Sequence, residues 1–155
     1  MNHFDKTIEI QAPPHVVWTV IRDIERWSEW TPTVTSIRML DSGPLAVGTR
    51  ALVRQPKLLP AQWLVTEIEN GRSFTWISRA PGVLVTARHW VEAAAGGSRA
   101  TLSLDFSGPL GPIVASLTHG LNTRYLALEA QGLKKRAEAD AQSPAAEDDR
   151  LGGSR

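Results

Sequence analysis

With no cysteine among its 155 residues, the chain can form neither a disulfide nor a thiolate metal site. The amino-terminal residues lack a basic region followed by an apolar signal core, which points to a cytoplasmic location. No apolar run approaches the ~20 residues that span a bilayer as a helix. Charge of either sign is not in excess: the net charge is +1, with acids and bases interspersed. That leaves no electrostatic footprint for nucleic acid or an anionic membrane, and with no long apolar run stable membrane insertion is not expected. The familiar catalytic signatures are missing as well. The four histidines, His3, His15, His89 and His119, share no metal-ligand spacing such as HExxH. There is no Gly-x-Ser-x-Gly elbow, Walker loop or Gly-x-Gly-x-x-Gly. Neither a metal nor another cofactor is expected.

What the chain does have is the composition of a globular domain, 42% hydrophobic and 21% charged, and enough length for one substantial core. Tyrosine occurs once and phenylalanine three times, yet tryptophan occurs six times. The organising stretch runs from Gly108 to Asp140. There Leu110, Ile113, Val114, Leu117, Leu121, Tyr125, Leu128 and Leu133 fall mostly at helical spacing, which predicts a long amphipathic helix over Pro109–Glu138. Pro109 and Pro112 suit its first turn, and Lys134, Lys135 and Arg136 suit its carboxyl end.

Upstream, alternation predicts a strand over His3–Gln11, ended by Ala12-Pro13-Pro14. Short helices over Pro13–Arg22 and Ile24–Trp30 follow. Strands are predicted over Val34–Leu40, Gly48–Arg54, Gln62–Glu69, Ser73–Arg79, Val83–Glu92 and Arg99–Phe106. Gln55–Pro60 reads as a loop, although Leu58-Leu59 is an odd pair to leave in solvent. Residues 1–140 make one domain, and residues 141–155, rich in Ala, Asp, Gly and Ser, read as a disordered tail.

Turn arithmetic sets the register. A two-residue turn at Asn70-Gly71 puts Val65 opposite Trp76 and Glu67 opposite Phe74. Pro81-Gly82 sets Phe74 against His89 and Trp76 against Ala87, and an Ala94–Gly97 loop sets His89 against Leu102. One apolar face results, carrying Trp63, Val65, Glu67, Phe74, Trp76, His89 and Leu102, and it is the face expected against the helix.

The order strand, two short helices, antiparallel meander and long carboxy-terminal helix resembles the START-like or Bet v 1-like helix-grip fold, an α+β fold in which a curved antiparallel sheet wraps a helix. More narrowly, the chain is similar to the SRPBCC group of polyketide cyclase/dehydrase and lipid-transport proteins. The resemblance covers about Asn2 to Glu138. It rests on Ile10-Gln11-Ala12-Pro13-Pro14, Val16-Val17-Trp18, Trp27-Ser28-Glu29-Trp30-Thr31-Pro32, Gly48-Thr49 and Gln55-Pro56 before Trp63. Val65-Thr66-Glu67, Phe74-Thr75-Trp76, Gly82, His89, Phe106-Ser107-Gly108 and Glu129 with Gly132-Leu133-Lys134 complete it. The resemblance implies a deep apolar cavity between sheet and helix.

Ligand-binding residues are accordingly expected at Trp27, Trp30, Trp63, Val65, Phe74, Trp76, His89, Leu102, Leu117, Leu121 and Tyr125. The expected partner is a small hydrophobic ligand of lipid, polyketide or aromatic type, held by a monomer or weak homodimer. Catalytic candidates reduce to Glu67 and His89, which would share the cavity as acid and base if the register holds. An inward histidine is more often a polar anchor in a cavity wall, and Glu67 has the alternatives of facing solvent or pairing with Arg54 or Arg72. Carrier or sensor on one side, cyclase, aromatase or dehydratase on the other, both stay open, with the carrier favoured.

Overall fold

Alternation and proline punctuation shape the amino-terminal third much as the residue pattern predicts. In the computed structural model, which describes residues 2–143, β1 (His3–Ile10) stops at Ala12-Pro13, and α1 (Pro14–Arg22) starts with Pro14 in its first turn. Val17, Trp18, Val20 and Ile21 form its buried side. A 3₁₀-helix (Ile24–Glu29) follows and buries Ile24 and Trp27.

Six more strands come next: β2 (Ser36–Met39), β3 (Arg50–Arg54), β4 (Ala61–Glu69), β5 (Ser73–Ala80), β6 (Val83–Ala94) and β7 (Gly97–Ser107). They form one seven-stranded sheet in the order β1-β7-β6-β5-β4-β3-β2, with every pairing antiparallel. The first strand thus closes onto the last, and the intervening meander curves around the carboxy-terminal helix, which is the helix-grip architecture. Phe74 faces His89, Trp76 faces Ala87 and His89 faces Leu102, as turn arithmetic predicts.

The β4–β5 hairpin departs from that arithmetic twice. Glu69 pairs with Ser73, so the loop holds three residues, Asn70 to Arg72, with Gly71 at φ +83° and the Arg72 N–H donating to the Glu69 carbonyl at 2.9 Å. A β-bulge between Val65 and Glu67 then absorbs the extra residue and restores Val65 opposite Trp76. Between these two irregularities the side-chain alternation is inverted. Glu67 lies opposite Thr75 rather than Phe74, and Ile68 takes the place opposite Phe74.

The carboxy-terminal helix is not continuous from Pro109. A short α2 (Gly111–Leu117) breaks at Thr118, and α3 (His119–Ala141) carries on. At the break the Thr118 hydroxyl donates to the Val114 carbonyl at 2.6 Å and accepts from Asn122 Nδ2 at 2.8 Å. The turn of direction moves the buried stripe to Asn122, Leu126, Ala130, Leu133 and Ala137. Small residues in that stripe let α3 lie close to its neighbours: Ala130 and Ala137 are fully buried, and Gly132 sits against the Trp30 carbonyl. Ala141, expected to open a disordered tail, is the last residue of α3; residues 144–155 of that expected tail lie outside the described residues. Among the described residues no helix is long and apolar enough to cross a membrane.

Candidate functional site

A cavity of about 610 Å³ lies between the concave face of the sheet and α3. The sheet contributes Trp63, Trp76, Ala87, His89, Leu102, Leu104 and Phe106, and α3 contributes Asn122, Tyr125, Leu126 and Glu129. Trp27 closes one end beside His89 and Phe74, while Val34 and Ile37 line the wall next to Val53. At the other end the β3–β4 loop, Pro81 in the β5–β6 turn, Val114 and Thr118 form a mouth.

The closed end is aromatic. Trp27 donates its Nε1–H to the Ile21 carbonyl at 3.0 Å, which fixes its indole, and its ring lies 5.1 Å from His89 and 5.6 Å from Trp76. Trp27 therefore pins the 3₁₀-helix to the sheet and lines the cavity at once. His89 stacks on Phe74 at 4.6 Å between ring centres. Buried among these rings, its imidazole is pushed down to a pKa of about 3 by loss of hydration. The Phe74 main chain acts the other way, and Nδ1 is buried with no hydrogen-bond partner among the described residues.

Glu129 is the carboxyl of the site. Its Oε1 accepts from the Thr33 hydroxyl at 3.0 Å, and Thr33 in turn lies 2.9 Å from the Thr31 hydroxyl, both threonines being buried. Burial raises the Glu129 pKa to about 7, with the Thr33 hydrogen bond acting the other way. The side chain keeps some accessible surface even so, because it lines the cavity.

Tyr125 spends its hydroxyl on the Pro56 carbonyl, which fastens the β3–β4 loop to α3. In that loop Lys57 adopts a left-handed φ of +67°, and Leu58 and Leu59 edge the cavity mouth. Their apolar character, odd for a solvated loop, fits that position. Leu58 and Leu59 are 42% and 88% exposed, so the loop presents apolar surface there beside the Lys57 ammonium.

Of the residues expected at a ligand site, Trp27, Trp63, Trp76, His89, Leu102 and Tyr125 line this one cavity. Val65 and Phe74 are buried behind the wall, and Trp30 packs on Trp27 at 5.5 Å. Leu117 points to solvent, and Leu121 is half-buried away from the cavity, because the break at Thr118 rotates the stripe that predicted them. Glu67 is exposed: the β-bulge turns it to the outer side of the sheet, so the proposed Glu67–His89 pair does not share a cavity. Asn122 and Glu129 are two polar lining residues that the residue pattern alone did not single out. The usable signal was spacing, since Glu129 lies seven residues after Asn122 and four before Leu133. Among the described residues no three His, Cys, Asp or Glu side chains stand close enough to hold a metal ion.

Solved structures with the same fold include the Zhui aromatase/cyclase from Streptomyces sp. R1128, 15% identical, covering 91% of this chain and 96% of that one at a TM-score of 0.72. TTHA0849 from Thermus thermophilus is 18% identical, covering 90% of this chain and 99% of that one, also at 0.72. Ara h 8.0201 is 19% identical, covering 90% of this chain and 96% of that one at 0.60. Among curated proteins, none matches in sequence. The family model described as polyketide cyclase / dehydrase and lipid transport matches residues 1–138, and with the helix-grip fold and its cavity this places the chain in that family, within the SRPBCC superfamily.

Proposed function

We propose that this protein binds one small apolar ligand in the cavity between sheet and α3, and carries or senses it without transforming it. The observation that supports this is the cavity itself: about 610 Å³, walled by indole and aliphatic side chains, with few polar groups converging on it. A base needs a partner that fixes its ring, and His89 Nδ1 has none among the described residues. The imidazole therefore reads as a neutral polar anchor.

A second reading draws support from the cavity and from the family description. A cyclase, aromatase or dehydratase would need an acid beside His89, and Glu129, not Glu67, is the carboxyl that lines the same cavity. His89→Asn separates the two. For a carrier, affinity for the ligand that co-purifies with the protein, identified by native mass spectrometry, shifts by about 0.5–1.5 kcal/mol and no product forms. Turnover of that ligand by the wild type, cut ~10²–10⁴-fold in His89→Asn with binding retained, would overturn the carrier reading. Glu67→Gln, on the outer side of the sheet, changes neither quantity.

A further inference from the structure

We propose that the closed end of the cavity receives a cationic nitrogen, so that the ligand is an apolar amine whose ammonium pairs with the Glu129 carboxylate beside indole faces. This rests on the cavity being the ligand site. Glu129 Oε1 is taken by Thr33, while Oε2 has no partner among the described residues and is not sealed away from the cavity. A buried carboxyl half satisfied in this way calls for a donor, and a charged donor offsets the most.

Among the described residues none supplies such a charge. Lys57, the cation among the lining residues, stands on the loop at the mouth. Farther along α3, Lys134 engages Glu138 and the Glu9 carbonyl, and Arg136 engages Glu29 and Asp140. The Tyr125 hydroxyl is spent on Pro56. His89, the remaining titratable lining group, is held neutral by its burial.

The aromatic side of the site is suited to a cation as well. Trp27 has its N–H committed to Ile21, so it presents ring rather than donor, and Trp63 and Trp76 lie 5.3 Å apart on the sheet. Ring faces that share one cavity with a carboxylate attract an ammonium through the carboxylate's charge and the rings' quadrupoles together. The Trp27 carbonyl accepts the Thr31 N–H at 3.0 Å, and the Thr31 hydroxyl lies 2.9 Å from that of Thr33, which anchors Glu129, so the indole and that anchor belong to one short segment. Because burial lifts Glu129 to about 7, the carboxylate form is available at and above neutrality and withdrawn below it.

Calorimetric titration with 1-naphthylmethylamine and with 1-methylnaphthalene, at pH 8 and pH 6, tests this. The amine is expected to bind at least ~tenfold more tightly than the hydrocarbon at pH 8, with the preference shrinking at pH 6. In Glu129→Gln the preference is lost while the hydrocarbon stays within roughly threefold of its wild-type affinity. If Glu129→Gln does not fold, ¹³C-carboxyl NMR of the wild type decides: the Glu129 midpoint falls when the amine is bound. Hydrocarbon binding equal to or tighter than the amine, or an unmoved midpoint, overturns the ammonium assignment and leaves the cavity reading standing. Failure of both probes to bind overturns both.

Discussion

Gly132→Ala is expected to destabilise the protein by about 2–4 kcal/mol, although alanine is the better helix former by ~1 kcal/mol. A Cβ at this position would overlap the Trp30 carbonyl oxygen and come within 3.1 Å of both the Trp30 carbonyl carbon and its ring Cε3. The obstacle is backbone, which cannot rotate aside. Ala130 and Leu133, on either side in α3, are fully buried, so the helix cannot simply move outward. Relief has to come from displacing the segment that carries Trp27 and Trp30, which is the closed end of the cavity. Thermal unfolding followed by circular dichroism should show a drop of roughly 5–15 °C. Gly120→Ala provides the contrast: nothing lies within 4 Å of the added methyl, so the substitution is neutral or stabilising by up to ~1 kcal/mol. A Gly132→Ala protein as stable as wild type would show that α3 does not approach Trp30 so closely.

The second large effect is a pair of opposed pH dependences. His89 titrates near 6.5 when unfolded and near 3 when folded, so between these values the unfolded chain holds more protons and stability rises with pH. Glu129 runs the other way. Its value moves from 4.5 to about 7 on folding, so the folded protein holds the extra proton and stability falls as pH rises through that window. From about pH 4.5 to 6.5 the two slopes, each about 1.4 kcal/mol per pH unit, offset one another. Removing one exposes the other. Relative to wild type, Glu129→Gln should gain stability with rising pH across this range, and His89→Phe should lose it. Urea unfolding at half-unit steps measures both, and the surface ion pairs cancel in the differences. Parallel profiles for the three proteins would mean that neither group is buried as described.

How far the residues alone reveal this molecule follows from which forces act locally. Proline and glycine punctuation, alternation and apolar helical spacing specify the order of elements, and the resemblance resting on them leads to the helix-grip fold. The β5–β6 and β6–β7 registers follow from turn length, because no irregularity intervenes there. In β4 the same arithmetic fails for Glu67, since a three-residue loop and a bulge compensate each other and Val65-Thr66-Glu67 carries no mark of a bulge. The helix shows the same limit. Leu117 and Leu121 continue an apolar stripe that the Thr118 hydroxyl and Asn122 interrupt, an interaction that periodicity does not register. Ala130 and Ala137 are central to the packing yet look ordinary as letters. Glu129 belongs to the family resemblance but not to the expected site for a related reason: an acid on an amphipathic helix reads as surface until Thr33, 96 residues away, is brought to it. Leu58-Leu59 is the reverse case, an anomaly visible in the sequence whose position at the mouth needed the fold.

The most direct test of ligand binding in the cavity is to fill it. Leu104 lines the space from β7, so Leu104→Trp puts an indole where the ligand would lie. Titrated by calorimetry with 1-methylnaphthalene, the wild type should bind saturably at one site per chain. Leu104→Trp, with an unchanged far-ultraviolet spectrum, should bind at least ~tenfold more weakly. Equal affinity in the two proteins, or no saturable binding by the wild type, would contradict the account.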